Sequence, residues 1–291
     1  DMTEATVSKI DEYAFSETTI KKFTMPETVT TIDRILSDLS LEELTVLGGD
    51  GCNLEKLGAT AKKIILNVPR VAKIGKMECE TIVIGEKVKR IEDYAFHGTT
   101  TVKEIIGSEH MEYLGYVDFS ELTSLEELIL PDKIDGALFG IDDMPASLKR
   151  VKISEGFRTI YGDAFDRCTN LTEVQLPASI ETIWYDAFNG CENLESVTFN
   201  EGSHLKSIGA RAFKDCTALK KIALGNEVET IYEDAFMGCT SLTEAVVPSG
   251  KTYCNGKLLD SFSTSWAFDE CPNLTSLTLG SENVVMSANS T

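Results

Sequence analysis

Short apolar alternations recur along the chain at a nearly constant spacing. In the clearest copy, NLTEVQLPASIETIWYDAFNGC, Leu171, Val174 and Leu176 make an L-x-x-V-x-L pattern, and Ile180, Ile183, Ala187 and Phe188 follow. Successive side chains of a strand point to opposite faces, so Val174 and Leu176 turn inward while Glu173 and Gln175 turn out. A strand this short, with one polar face, is stable only with a neighbour on each side. The Val174 position recurs as Phe23, Leu44, Ile64, Ile82, Ile105, Leu128, Val151, Val197, Ile222, Ala245 and Leu277. Together these predict twelve strands stacked in one parallel sheet.

The second half of the unit carries its own markers. Ala-Phe pairs occur at Ala95-Phe96, Ala164-Phe165, Ala187-Phe188, Ala212-Phe213, Ala235-Phe236 and Ala267-Phe268, with steps between phenylalanines of 69, 23, 25, 23 and 32; Phe119 falls 23 after Phe96. The unit is therefore about 23 residues with occasional insertions. A cysteine stands three residues after each later Phe, at Cys168, Cys191, Cys216, Cys239 and Cys271. The I-x-x-x-A-F-x-x-C segment is too short for a long helix and predicts an irregular turn or a single helical turn. Asp163, Asp186 and Asp234, just before the Ala-Phe pair, read as caps for free backbone N–H groups. Phe165, Phe188, Phe213 and Phe236 should stack as a spine, each contributing on the order of 1.5–3 kcal/mol by burial.

The expected fold class is thus an α/β repeat solenoid: a leucine-rich-repeat horseshoe with a parallel β-sheet on its concave face and short irregular or helical turns on its convex face. One solenoid covers residues 1–291. Residues 1–90 hold degenerate repeats at strand spacings of 21, 20 and 18; residues 91–280 are regular, although 136–147 lack the Ala-Phe pair. An insertion at 248–266 around Asn255-Gly256 reads as a protruding hairpin, and the polar residues 281–291 as an end cap or linker.

Charge and composition remove several functions. Apolar residues make up 42% and charged ones 25%, as in an ordered globular chain. The 47 acidic against 27 basic residues give a net charge of −20, which repels nucleic-acid backbones and anionic headgroups. No run of eighteen apolar residues predicts insertion into a membrane. The chain starts at Asp1 and not Met, so a segment such as a secretion signal is expected to have preceded it, and a monomer is expected.

No set of residues converges on a reaction. Five cysteines at one repeat position form a linear ladder, which suits free buried thiols and does not converge on a tetrahedral metal. Cys79 takes a core position, and Cys52 and Cys254 have no assigned role. His97, His110 and His204 fall in different units, and no H-E-x-x-H, G-x-S-x-G or phosphate-cradling motif occurs. Leu47-Gly48-Gly49-Asp50-Gly51 reads as a turn between strands. Asn170 and Asn273 each begin an N-L-T glycosylation acceptor, but both occupy one repeat position, so a repeated structural motif is the simpler account. The reading is of a non-enzyme with no catalytic residue, cofactor or metal.

The column one residue beyond each strand centre faces out. There Ile65, Val83, Ile106 and Ile129 are consecutive, large and aliphatic, followed by Lys152 and Gln175 and flanked by Lys63, Glu104, Glu127 and Arg150. An apolar stripe with a charged rim is the composition of a protein-docking surface. Ile and Val are also common in strands whatever they face, and Gly107 in the inward phase leaves a register slip at Ile106 open.

The A-F-x-x-C turns, the prolines of Met25-Pro26, Leu130-Pro131, Leu176-Pro177 and Val247-Pro248, and segments such as FNEGSHLKSIGARAFKDC resemble the BspA-like leucine-rich repeats of bacterial surface proteins, from about residue 82 to residue 280. The resemblance implies a secreted or surface-anchored bacterial module. It also implies an adhesin-like role toward a protein partner, such as a host extracellular-matrix or plasma protein. An architectural spacer or a glycan-binding module are the alternatives. A glycan binder would set several aromatics on one exposed face, whereas the aromatics here mostly take core phases.

Overall fold

The computed structural model describes residues 8–10, 14, 15, 17–29, 36, 39–48, 52, 53, 60–74, 78–115, 117–130, 133, 134, 144–247, 253, 254, 257, 258, 267–279 and 282–284. The Gly49–Gly51 end of the glycine run, expected as a turn, and the loop 136–143 lie outside them. The chain divides into two units, Asp1–Gly136 and Ala137–Thr291.

Each of the twelve predicted strands exists, and each predicted centre is buried. In the first unit the strands Lys22–Met25, Ser40–Val46, Thr60–Leu66, Thr81–Ile84, Glu104–Ile106 and Glu127–Ile129 pair in parallel, with Phe23 opposite Leu44, Leu44 opposite Ile64, Ile64 opposite Ile82, Ile82 opposite Ile105 and Ile105 opposite Leu128. The register that sequence left open at Ile106 is regular: Ile106 lies between Val83 and Ile129. The strand ends there, and Gly107 N donates to Ile129 O at 2.6 Å. In the second unit Arg150–Lys152, Glu173–Leu176, Ser196–Phe199, Lys221–Ala223, Glu244–Val247 and Ser276–Leu279 repeat the arrangement, and Glu282–Val284 adds an antiparallel strand at the edge.

A second, narrower sheet lies on the other side of each coil, and sequence analysis did not foresee it. In the second unit Thr159–Ile160, Thr182–Ile183, Ser207–Ile208, Thr230–Ile231 and Tyr253–Cys254 run parallel, with Ile160, Ile183, Ile208 and Ile231 buried and in register. Two residues per coil are too few to show an alternation, but a hydroxyl residue followed by Ile recurs at the first four sites. Tyr253–Cys254 then pairs antiparallel with Lys257–Leu258, so the insertion does form a hairpin, and its first strand extends this sheet. The first unit carries Cys52–Asn53, Arg70–Lys73, Arg90–Ile91 and Tyr113–Leu114 in a comparable four-stranded parallel sheet.

The architecture is a parallel β-solenoid, and the helical component of the α/β expectation is not found. Among the described residues the helical content is one 3-10 turn, Phe119–Glu121. The cause lies in where the Ala-Phe backbone sends its hydrogen bonds. Phe165, Phe188, Phe213 and Phe236 each donate their N–H to the alanine carbonyl of the following coil, Ala187, Ala212, Ala235 and Ala267, at 2.7 Å. A donor engaged across coils is not available for the i−4 bond of a helix. Asp163, Asp186, Arg211 and Asp234 sit at φ between 52° and 63°, and Arg167, Gly190, Asp215 and Gly238 four residues later are again left-handed. Asp and Gly tolerate this region better than most residues. The aspartates are therefore read as conformational, and not as helix caps; Asp186 turns its carboxylate to Arg211, at 2.9 and 2.6 Å.

Close stacking of coils also fixes a glycine. A Cβ on Gly209 would come within 2.4 Å of the Trp184 carbonyl carbon and of Tyr185 N, both main-chain atoms that cannot step aside. Gly209→Ala is expected to lower stability by about 1–3 kcal/mol or more, as forced overpacking does. A denaturant melt with an unchanged midpoint would contradict this backbone contact.

The core behind these turns is columnar. Phe165, Phe188, Phe213, Phe236 and Phe268 stack with centroids 4.8–5.2 Å apart and planes within 2–6° of parallel. Cys168, Cys191, Cys216 and Cys239 are free and buried, and Cys271 is half-buried. From Cys191 onward each thiol donates to the phenylalanine carbonyl of the preceding coil: Cys191 to Phe165, Cys216 to Phe188, Cys239 to Phe213 and Cys271 to Phe236, at 3.1–3.2 Å. The side chains of Cys52 and Cys254 lie outside the described residues.

Candidate interaction surfaces

The outward column of the long sheet is assembled by register in the first unit. Ile65 lies opposite Val83, Val83 opposite Ile106, and Ile106 opposite Ile129, across four adjacent strands. All four are half-buried, alternating with the fully covered Ile64, Ile82, Ile105 and Leu128. Two residues earlier on the same face runs a second row, Lys22, Glu43, Lys63, Thr81, Glu104 and Glu127. Its members engage one another: Lys22 Nζ is 3.7 Å from Glu43 Oε1, and Thr81 Oγ1 donates to Glu104 Oε2 at 3.3 Å. An aliphatic ridge thus borders a charged one.

Lys152 and Gln175 are brought together in the second unit, opposite each other on neighbouring strands and both exposed. The equivalent outward row there reads Lys152, Gln175, Thr198, Ala223, Val246 and Thr278 and is mostly polar. Gln175 Nε2 donates to Asn200 Oδ1 at 2.7 Å, and Asn200 Nδ2 to Glu155 Oε1 at 3.3 Å. Burial opposes ionisation of Glu155, but hydrogen bonds from Ala178 N, Ser179 N and Asn200 outweigh it and hold the carboxyl below its ordinary value. This is a brace between coils. Glu92 is another: the hydrogen bond from Arg70 at 2.6 Å is the main cause of its lowered pKa, with Arg90 assisting.

The remaining candidates resolve into scaffold contacts. Asn170 donates to Ala146 O at 3.0 Å, Asn193 to Thr169 O at 2.7 Å and Asn273 to Thr240 O at 2.7 Å, so the N-L-T repetition reflects a side-chain bracket to the coil before. His97 Nδ1 lies 2.6 Å from Glu121 and His204 Nδ1 3.2 Å from Glu227, each a separate surface pair. The His110 side chain is outside the described residues. Among the described residues no group of three or more His, Cys, Asp and Glu is placed to hold a metal ion, and no helix is long and apolar enough to cross a membrane.

Exposed aromatics were missed by sequence analysis. Trp184, Tyr185 and Tyr232 are 46%, 48% and 44% exposed in the second unit, as is Tyr94 in the first at 55%. Trp184 and Tyr232 directly follow second-sheet strands, a phase invisible until that sheet was seen.

A long parallel sheet and a narrower one in each unit, with turns that in the second unit bury one column of phenylalanine and one of cysteine, define a leucine-rich-repeat β-solenoid. The profile of BspA type leucine rich repeat regions matches in six copies over residues 2–47, 74–138 and 144–264, and the chain belongs to that family. Similar solved structures include a leucine-rich-repeat protein of T. pallidum, 29% identical over 52% of this chain and 57% of that one, with a TM-score of 0.38. A leucine-rich cell surface protein of Faecalibacterium prausnitzii is 22% identical over 95% of this chain and 83% of that one, with a TM-score of 0.43. The pneumococcal vaccine antigen PcpA is 17% identical over 85% and 78%, with a TM-score of 0.38. No curated protein sequence matches the chain.

Proposed function

We propose that this chain is a non-enzymatic binding module of a secreted or surface-attached bacterial protein, and that it docks a protein partner on the outward face of the long sheet in its first unit. The observation that carries the reading is the in-register row Ile65, Val83, Ile106 and Ile129. Four aliphatic side chains stay half-exposed in one line while the matching row of the second unit is mostly polar, so strand propensity alone does not account for them. A desolvating apolar centre with a charged rim is the arrangement from which protein interfaces draw affinity and specificity. Lys152 and Gln175, paired on the second unit's own outward row, are a separate polar contact of that unit. The net charge of −20 favours a partner with a basic surface.

The test is Val83→Lys combined with Ile129→Lys, scored by thermal melting and by binding to a panel of extracellular-matrix, plasma and cell-surface proteins. Unchanged melting with binding reduced at least tenfold is expected. A folded double variant that binds normally would remove the row from the docking surface. A wild-type chain that binds nothing on the panel would favour a spacer.

A further inference from the structure

The second unit carries a surface that the preceding proposal does not use. On the outward face of its narrow sheet, Thr159, Thr182, Ser207 and Thr230 form one column, with Ile160, Ile183, Ile208 and Ile231 turned inward. The residues immediately after are Tyr161, Trp184, Gly209 and Tyr232, tied in sequence by the bonds Trp184 N to Ile160 O, Gly209 N to Ile183 O and Tyr232 N to Ile208 O. Tyr161 meets Trp184 edge to face at 6.1 Å, and Tyr185 joins them at 6.3 Å from Trp184. The Tyr185 ring lies on the Gly162 backbone, where a Cβ would fall 2.7–3.1 Å from its ring carbons. The next coil presses Gly209, which has no side chain, on the Trp184 main chain, and Trp184 stays 46% exposed. Tyr232 resumes the column two strand spacings on, about 10 Å from Trp184.

We propose that Trp184, Tyr185 and Tyr232, with the Thr182, Ser207 and Thr230 hydroxyls beside them, form a binding site for an uncharged polysaccharide. Sugar rings present C–H faces that pack on exposed aromatic rings and hydroxyl edges that exchange hydrogen bonds with side-chain hydroxyls. Platforms spaced along a linear column suit a linear polymer better than a compact ligand. Several charges bordering the column engage each other: Arg211 is bidentate to Asp186, and Glu181 is held by Arg158 Nη1 and by Lys206 Nζ, each at 3.2 Å. That part of the border offers paired groups, while the exposed Glu229 and Glu233 flank Thr230 and Tyr232. A chain of net charge −20 also repels sulfated or sialylated glycans.

The experiment is affinity electrophoresis of the folded chain in native gels containing soluble mixed-linkage β-glucan, xylan or galactomannan, with tryptophan emission titrated in parallel. The chain has two tryptophans, so a Trp266→Phe background makes the emission report Trp184 alone. Retardation by at least one polymer is expected, with a matching emission change. Trp184→Ala and Tyr232→Ala should each weaken it at least tenfold without moving the melting transition, while Tyr94→Ala and the Val83→Lys, Ile129→Lys double variant leave it unchanged. No retardation by any neutral polymer overturns the site, as does unaltered retardation of a folded Trp184→Ala and Tyr232→Ala pair. An emission response confined to lysine-rich peptides or to sulfated glycans overturns it equally.

Discussion

Phe188→Ala should lower the unfolding free energy by about 3–5 kcal/mol, the range for truncating a buried aromatic where the surroundings cannot collapse. The ring is fully buried and lies between Phe165 at 4.8 Å and Phe213 at 5.0 Å, nearly parallel to both. Those neighbours are held by their own coils: the N–H groups of Phe165 and Phe213 bond to Ala187 and Ala235, so neither ring can slide into the vacancy without breaking a bond between coils. Phe15→Ala should cost less. Phe15 is only half-buried and touches Phe23 edge to face at 5.1 Å, so its truncation removes less buried contact. Equal losses for the two variants in urea melts would contradict a stacked spine.

The second large effect is on thiol chemistry. Burial pushes the thiols of Cys79 and Cys168 up to about 12 and raises Cys191 and Cys216 as well. Cys239 is raised as well, by the adjacent Cys271 and by burial. Only the thiolate reacts, so a rise of three units leaves roughly a thousandfold less nucleophile at neutral pH, before steric exclusion is counted. Peptide-resolved alkylation should find Cys168, Cys191, Cys216 and Cys239 protected in the native state and labelled at once in urea. Cys271 should label first among the ladder positions, since it is half-buried and its thiol is held below its ordinary value beside Cys239. Rapid native labelling of the other four would refute the buried ladder. The sign of the linked stability follows: a folded pKa above the unfolded thiol value of about 8.5 stabilises the fold fully below that pH. Stability should then fall as pH rises from there toward 12, the value for Cys168.

The repeat was legible in the sequence because it is written in the residues that must be buried. Phe23 through Leu277 mark twelve strands whose period-2 alternation is forced by one covered face, and a slip of one residue would expose every centre. The Phe and Cys columns were legible for the same reason, since one phase repeated along a stack places like side chains one above another. What the turns do was not legible. Asp163, Asp186 and Asp234 looked like caps because Asp favours both a cap and a left-handed residue, and only the Ala-Phe hydrogen bonds between coils decide between them. The Thr-Ile and Ser-Ile steps are too short to carry a period, so the narrow sheet appears only when coils stack and their backbone groups find partners in the next coil. With that sheet unseen, Trp184 and Tyr232 had no face to belong to. Their exposure, like the alignment of Ile65, Val83, Ile106 and Ile129, depends on neighbours about 20 residues or more away, and tertiary stacking alone sets it.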